Sequence, residues 1–311
     1  RDFEQLSRVG AELVIERARR VMRRKRELVL GLATGNSPTG LYRHLVRAAN
    51  AGEVDSGRIR SFNLDEYVGL PGENAQQRAM HAESYTYFMI RELFGRLERR
   101  FLEASVPWGT LIEQRELERE LRSHRGDWRE EGSDAGRSIV IRAKPGSAYL
   151  GWVRREVLEG YARKIRRAGG IDLQIIGVGG RGHVAFHESG IPFRGSRVML
   201  VKLDGDTVSN AVADGHFSSV SGSPRYAISM GVELVYRARS VVLLAAGERK
   251  VEAVTRSLLG EPTARVPISY GQVYGARGGE LVYVLDRVAA RELLGARVVL
   301  KRRGVELSVV G

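Results

Sequence analysis

The chain has 311 residues, of which 43% are hydrophobic, so it is long enough to bury a substantial core in one large domain or two small ones. It contains no cysteine, which excludes thiol nucleophiles, iron–sulfur clusters, thiolate zinc sites and disulfides. The 50 Lys and Arg residues outnumber the 37 Asp and Glu residues, and the resulting net charge of +13 favours anionic ligands.

Apolar runs alternate with segments of helical periodicity along most of the chain. The first half predicts, in order, an amphipathic helix over about 3–25, a strand at 28–33, a helix from 38 to about 51, a strand near 58–64 and a helix around 84–97. The second half predicts a helix at 149–168, strands at 171–178 and 239–246, a helix at 248–259 and a strand at 280–285. Strands that alternate with helices indicate an open parallel sheet with helices on both faces, so we predict a Rossmann-like α/β fold.

Two segments differ from this alternation in their content of charged and apolar residues. Residues 112–148 are rich in charge and poor in apolar side chains, which predicts an insertion made of a short surface helix and then a mobile loop. Residues 292–311 alternate basic and apolar side chains, which predicts a small basic hairpin that turns at Gly304. We therefore predict one domain over 1–311 that carries this insertion and a basic C-terminal extension.

Residues 33–40, ATGNSPTG, lie between a predicted strand and a predicted helix. Backbone N–H groups at the start of the helix, the turn at Gly35 and the hydroxyls of Ser37 and Thr39 can together hold a phosphate against the positive end of the helix dipole. The segment lacks the lysine and the spacing of an ATP-binding P-loop, which disfavours a nucleoside triphosphate. Ordinary capping of the helix by Asn36 or Ser37 explains the segment equally well when it is considered alone.

Residues 62–71, FNLDEYVGLP, place Asp65 and Glu66 at the C-terminal end of the next predicted strand. Parallel strands end at the same edge of a sheet, so both carboxylates face the same crevice as the preceding loop. A carboxylate beside a bound sugar can remove the proton next to a carbonyl group. An adjacent Asp-Glu pair is otherwise common in solvated turns.

Residues 177–190, GVGGRGHVAFHESG, follow the apolar strand predicted at 171–178. Their glycines let the backbone approach a ligand, and His183, His187 and Glu188 are groups that move protons near neutral pH. A tight turn with a solvated histidine explains the segment equally well when it is considered alone. The stretch HVAFH lacks the glutamate that follows the first histidine in the HExxH zinc motif, so we expect no metal here.

In their order and spacing, these three segments resemble the glucosamine-6-phosphate deaminase (isomerase) family, whose related motifs read roughly TGxTP, FNxDEYxGL and GxGxDGHIAFNEP. The resemblance runs from about residue 28 to 288 and is interrupted by the predicted insertion. Further similarities are AESYTYFM at 82–89, YAISMGV at 226–232 and the lysine of AAGERK at 245–250.

The resemblance implies an aldose–ketose isomerase that converts an amino sugar 6-phosphate to a ketose 6-phosphate and releases ammonia. The residues that it implies for the sugar phosphate are Gly35, Ser37, Thr39 and Lys250. Asp65 becomes the base that moves a proton between C2 and C1, and His183, oriented by Glu188, opens the pyranose ring. Glu66 borders the site, and no cofactor is needed because a carboxylate and an imidazole suffice.

The chain departs from the family pattern at three places. Arg181 stands where the motif has an aspartate, which reverses a charge near His183 and suggests binding of the substrate anion instead. In the segment 206–217 Val212 replaces the arginine expected to reach the phosphate, so Arg181 or Arg194 is expected to supply that charge. His187 replaces the asparagine of the motif and adds a second imidazole to the predicted substrate site.

Two other functions fit the same residues. The 6-phosphogluconolactonases share the fold and a GxGxDGHxAS loop, although FNLDEYVGLP favours the deaminase side. The second alternative is a non-catalytic sugar-phosphate sensor in which Arg181 binds the anion. The expected partner is a small-molecule sugar phosphate. The sequence shows no nucleic-acid-binding motif, no apolar run of membrane length and no signal segment. We therefore expect neither nucleic acid nor a membrane as a partner, and we expect a cytoplasmic location. A homo-oligomer is compatible with the sequence.

Overall fold

The computed structural model describes residues 2–134, 136–213 and 215–310. Residues 1 and 311 at the limits of the predicted domain, residue 135 of the predicted insertion and residue 214 of the segment 206–217 lie outside these ranges. The strands are β1 Leu28–Leu32, β2 Ile59–Asn63, β3 Asp65–Val68, β4 Glu103–Ser105, β5 Trp128–Glu131, β6 Arg137–Ile141, β7 Leu173–Ile176, β8 Val198–Lys202, β9 Tyr226–Met230, β10 Ser240–Ala245 and β11 Glu280–Leu285.

The α-helices are α1 Phe3–Met22, α2 Thr39–Asn50, α3 Ala75–Ala79, α4 Tyr85–Glu92, α5 Gln114–Ser123, α6 Ala148–Trp152, α7 Glu159–Arg167, α8 Gly205–Ala213, α9 Val232–Val235, α10 Val251–Leu259, α11 Tyr270–Ala276, α12 Arg291–Gly295 and α13 Arg297–Arg302. A π-helical segment at Val153–Leu158 joins α6 to α7, so the helix predicted at 149–168 is confirmed. Among the described residues, none of the helices combines the length and the apolar composition that a bilayer crossing requires.

Six parallel strands form the main sheet in the order β11-β10-β7-β1-β2-β4, which confirms the predicted α/β fold. The chain runs outward from β1 through β2 to β4, and then returns to β7 and runs outward to β11 on the other side. The order therefore reverses between β1 and β7. Open α/β sheets bind their ligands at such a reversal, beyond the carboxyl ends of the strands.

Helices cover both faces of this sheet because its strands are apolar on both sides. All five residues of β1 are buried, as expected for a central parallel strand. On one face Leu30 and Leu32 pack in a core with Val14 of α1 and Leu41 of α2. On the other face Phe62 and Ile176 share a core with residues of α7 and α10.

A second, antiparallel sheet has the order β3-β9-β8-β6-β5 and was not predicted as such. Leu64 links the two sheets, because its N–H donates to the carbonyl of Leu32 at 3.0 Å and its carbonyl accepts from the N–H of Met230 at 2.7 Å. Asp65, the first residue of β3, therefore lies where the chain passes from one sheet to the other.

The second sheet also corrects the prediction for residues 112–148. The expected short helix is present as α5, but the expected loop is wrong, because β5 and β6 pair antiparallel there. Ile139 and Ile141 of β6 are buried in a core with Leu200 of β8. The predicted C-terminal hairpin is also wrong, because residues 291–302 form α12 and α13. Leu293 and Leu300 are seven residues apart and both buried, which is a helical rather than a strand spacing.

Candidate active site

Loops from four neighbouring strands meet at the carboxyl edge of the parallel sheet. Thr34, after β1, donates its hydroxyl to Asp65 Oδ1, after β2, at 3.3 Å. A Cβ placed on Gly177, after β7, would lie 3.9 Å from the Ser37 hydroxyl. A Cβ on Gly180 would lie 3.4 Å from the carbonyl oxygen of Arg249, in the loop after β10. All three sequence motifs and the loop of Lys250 are therefore neighbours in space.

Asp65 is a buried carboxyl group with only 4% of its surface exposed. Burial, together with the negative charge of the adjacent Glu66, raises the pKa of Asp65 to about 8, while the hydrogen bond from Thr34 opposes this change. A carboxylate with so high a pKa is a much stronger base than an exposed aspartate. It is therefore suited to removing a proton bound to carbon.

Glu66, predicted to border the substrate site, is bound to the start of a neighbouring helix. Its carboxylate is fully buried, and it accepts hydrogen bonds at the start of α4. The donors are the N–H groups of Tyr67, Tyr85 and Thr86 and the hydroxyls of Ser84 and Thr86, at 2.8–3.0 Å. Glu66 thus binds the first turn of α4 beside its N-cap, Ser84, and these bonds hold the backbone that carries Asp65.

His183 and Glu188 form a polar pair within the loop that follows β7. His183 Nδ1 lies 3.3 Å from Glu188 Oε2, and 26% of the His183 side chain is exposed. Glu188 is buried and also accepts a 2.8 Å hydrogen bond from the Thr207 hydroxyl. Burial raises the pKa of Glu188, but His183, Thr207 and Arg181 outweigh it, so that its pKa is lower than usual. Glu188 is thus an ionised carboxylate that orients the imidazole.

Gly179 provides the surface on which the His183 ring lies. A Cβ at this position would come within 2.0 Å of His183 Nε2, so any side chain would displace the ring. The Gly179 N–H also donates to the carbonyl of His183 at 3.0 Å. The glycine of the motif is therefore required by the close approach of the histidine.

His187, predicted as a substrate contact, is placed within the protein interior. It is fully buried, its Nδ1 accepts the N–H of Val232 at 3.2 Å, and its Nε2 lies 3.1 Å from the carbonyl oxygen of Ile191. Burial lowers the pKa of His187 to about 4, although the hydrogen bond to Ile191 opposes this. The imidazole stays neutral, with its proton on Nε2, and both nitrogens are used within the protein.

Arg181, predicted to contact the substrate anion, faces three carboxylates with its guanidinium. It lies 2.6 Å from Asp134, 2.8 Å from Asp204 and 3.3 Å from Asp206. These ion pairs neutralise the positive charge that was expected to bind the substrate anion. The other expected replacement, Arg194, lines a groove with Arg239 and Gly279, which directly precede β10 and β11, so it lies toward the opposite edge of the sheet.

The segment predicted as an anion cradle connects β1 to α2. Gly35 has φ +87°, a conformation that favours glycine, and it turns the chain out of β1. The N-cap of α2 is Pro38, which makes no side-chain hydrogen bond to the helix, so neither Asn36 nor Ser37 is the cap. The Thr39 hydroxyl donates to the Asn36 carbonyl at 2.9 Å and tightens the turn. Lys250 lies at the start of α10, in the loop beside Gly180.

Several residues of the site were not identified from the sequence. Thr34 could have been predicted from the sequence, because it lies within the segment 33–40 after the first strand. Thr207 and the carboxylates around Arg181 could not, because they come from distant segments. In the described part of the chain no three His, Asp or Glu side chains are grouped as metal ligands.

Comparison with known proteins identifies the family. No protein-family model matches the chain. The glucosamine-6-phosphate deaminase of Clostridium botulinum is 31% identical over 94% of this chain and 96% of its own length. That of Thermoanaerobacter is 29% identical over 93% of this chain and 91% of its own.

Solved structures show the same fold. A monomeric glucosamine-6-phosphate deaminase superposes with a TM-score of 0.68 at 24% identity, and the match covers 94% of this chain and 97% of the other. The 6-phosphogluconolactonase of Trypanosoma cruzi superposes with a TM-score of 0.59 at 19% identity and covers 94% of each chain. The extent and identity of the bacterial matches show that this chain belongs to the glucosamine-6-phosphate deaminase family.

Proposed function

We propose that the chain is a glucosamine-6-phosphate deaminase-like aldose–ketose isomerase. The observation that carries the proposal is the buried Asp65, with its raised pKa, in a loop cluster with the phosphate cradle and the His183–Glu188 pair. The bacterial relatives named glucosamine-6-phosphate deaminase match nearly the whole chain. The likeness to 6-phosphogluconolactonases rests on fold alone.

The cradle at the start of α2 is proposed to hold the sugar phosphate. Backbone N–H groups after Gly35 and the hydroxyls of Ser37 and Thr39 suit phosphate oxygens, and the helix dipole adds a favourable field. Lys250, in the neighbouring loop, is proposed as the cationic contact. Arg181 is left out because of its carboxylate partners, and Glu66 and His187 because they are buried and hydrogen-bonded within the protein.

His183 is proposed to open the sugar ring. The imidazole takes the proton of the O1 hydroxyl while the C1–O5 bond breaks, and the proton is delivered to O5. Glu188 holds the imidazole in place for these transfers, because its carboxylate faces Nδ1 at 3.3 Å.

Asp65 is proposed to perform the isomerisation. Its carboxylate removes the proton from C2, and the electron pair left at C2 forms a C1=C2 double bond. The C1 carbonyl oxygen becomes a hydroxyl by taking a proton from the ammonium group on C2. Return of the proton to C1 leaves a C2 imine, water adds to C2, and ammonia departs. The overall change consumes one water and yields a ketose 6-phosphate and ammonia. No cofactor takes part, because no electrons leave the substrate.

We propose a cytoplasmic site of action with a small-molecule sugar phosphate as the partner. The test is incubation of the full chain with glucosamine 6-phosphate, with ammonia and fructose 6-phosphate measured together. Equal amounts of both products are expected. Hydrolysis of 6-phosphogluconolactone without ammonia release from the amino sugar would favour the lactonase alternative. A ligand-induced rise in melting temperature without any turnover would favour the sensor.

A further inference from the structure

Arg181, in the loop after β7, is bonded to two segments that are distant in sequence. Its Nη2 donates to Asp134 Oδ2 at 2.6 Å, in the turn between β5 and β6. Its Nη1 donates to Asp204 Oδ2 at 2.8 Å and to Asp206 Oδ2 at 3.3 Å, at the start of α8. Asp204 is only 4% exposed, so part of this network is shielded from water. The guanidinium therefore connects the loop after β7 to two elements that follow other strands.

The β5–β6 turn contacts the loop after β7, residues 177–190 (the active loop), directly beside Glu188. The Ser189 hydroxyl donates to Asp134 Oδ2 at 2.7 Å, the same oxygen that Arg181 binds. Backbone bonds add to this contact, since Ser133 N–H donates to the Gly190 carbonyl at 2.9 Å. The residue that follows Glu188 is thus held by a turn that Arg181 anchors.

The start of α8 contacts Glu188 itself. Asp204 Oδ1 accepts the N–H of Asp206 at 3.0 Å and shapes the first turn of the helix. The next residue, Thr207, donates its hydroxyl to Glu188 Oε1 at 2.8 Å. The other oxygen of Glu188 faces His183. A continuous set of bonds therefore runs from Arg181 through the start of α8 to the imidazole.

We propose that Arg181 is a positioning residue: it holds the β5–β6 turn and the start of α8 against the active loop, so that Glu188 keeps His183 in its working orientation. This role rests on the proposed function. It differs from the charge contact with substrate that the sequence suggested, because the guanidinium is directed at protein carboxylates.

Replacing Arg181 with the aspartate of the family motif is expected to disrupt this network, because of the charges around it. One positive charge stands among Asp134, Asp204 and Asp206, so an aspartate here would gather four carboxylates without a cation between them. Glu188 faces His183, and the positive charge of Arg181 also lowers the pKa of Glu188. Removing the arginine therefore weakens both the bonds that hold Glu188 and the field that keeps it ionised.

Amide hydrogen exchange of the unliganded full chain tests the contact network without substrate. Arg181→Met is expected to speed exchange at least about tenfold in residues 204–213 and in the β5–β6 turn, while the parallel sheet stays unchanged. The matched control is Arg100→Met, an exposed arginine with no ion pair among the described residues. Unchanged exchange in both segments overturns the inference. If the wild-type chain releases no ammonia, the proposed function fails, and this experiment still decides whether Arg181 holds the two segments.

Steady-state kinetics separates positioning from a merely structural role. Arg181→Met is expected to lower kcat at least about tenfold with KM within about threefold. Arg181→Lys should lose less and Arg181→Asp more. A raised KM with unchanged kcat would make Arg181 a substrate contact, and a lower melting temperature with unchanged kinetics would make it purely structural; both results overturn the inference. If Arg181→Met does not fold, Asp206→Asn at the exposed partner should give the same pattern in weaker form, and its absence also overturns the inference.

Discussion

The hydroxyl of Thr34, after β1, lies 3.3 Å from Asp65 Oδ1, after β2. This bond spans two neighbouring strand exits of the parallel sheet and connects the phosphate cradle to the proposed base. It is also the contact that opposes the rise in the pKa of Asp65 caused by burial and by Glu66. If Asp65 is the base, as proposed, the activity is expected to depend on pH in a defined direction.

The first prediction concerns the pH profile of kcat/KM. Asp65 must be ionised to act as a base, so kcat/KM for glucosamine 6-phosphate is expected to rise with pH through about 8. Thr34→Val removes the hydrogen bond that lowers this pKa and should move the acid limb upward by about half a pH unit or more. Stopped-time ammonia assays from pH 6 to 10 measure both profiles. A wild-type profile with no acid limb in this range would contradict the raised pKa of Asp65.

The second prediction concerns stability and Asp65. The folded-state pKa is raised from 3.8 to about 8, so burial of this group favours folding only while it is protonated, and stability is lost as pH rises from about 4 to 8. Asp65→Asn removes the ionisation and should be more stable than wild type at pH 9, by on the order of 5 kcal/mol at most. The gain should vanish at pH 4. Urea unfolding at the two pH values measures it, and equal gains at both would contradict the account.

The third prediction concerns His187. Its folded-state pKa is depressed from 6.5 to about 4, so its contribution to stability is present above pH 6.5 and is lost as pH falls toward 4. His187→Asn restores the residue of the family motif and should remove up to about 3 kcal/mol of this acid-induced loss. Turnover at pH 8 should change less than about threefold, because the imidazole is buried and bonded within the protein. A collapse of kcat at pH 8 with retained folding would give His187 a catalytic part.

The fourth prediction concerns Gly179. An alanine Cβ would stand 2.0 Å from His183 Nε2 and must push the ring aside. Gly179→Ala should therefore lower kcat at least about a hundredfold with little effect on melting temperature, since the ring is partly exposed and can move. The control is Gly126→Ala in the loop after α5, where a Cβ meets nothing within 4 Å. Equal activity of the two variants would show that His183 need not lie on Gly179.

The sequence predicted the parallel sheet and the catalytic candidates because both depend on local signals. Apolar strands followed by glycines marked the exits at Gly35 and Gly177, and parallel pairing brought them together. The antiparallel sheet was missed because its edge strand β5, WREE, is charged and gives no apolar alternation. The internal hydrogen bonds of Glu66 and His187 were not predicted either, since their partners Ser84 and Val232 lie 18 and 45 residues away in sequence.

Arg181 is another residue whose partners could not be predicted from the sequence. Its position in the motif suggested a contact with the substrate anion, because the sequence places it two residues before His183. Its actual partners come from the β5–β6 turn and from the start of α8, which are 47 and 23 residues away. A charge in a motif acquires its role from the charges that the fold brings next to it.

Turnover by the Asp65→Asn variant tests the central claim most directly. At saturating glucosamine 6-phosphate and pH 8.5, ammonia release should fall by about a thousandfold or more, because the amide cannot accept the proton from C2. The rise in melting temperature on adding the sugar phosphate should persist, because the cradle is unchanged. Ammonia release above about a tenth of the wild-type rate would contradict the assignment of Asp65 as the base.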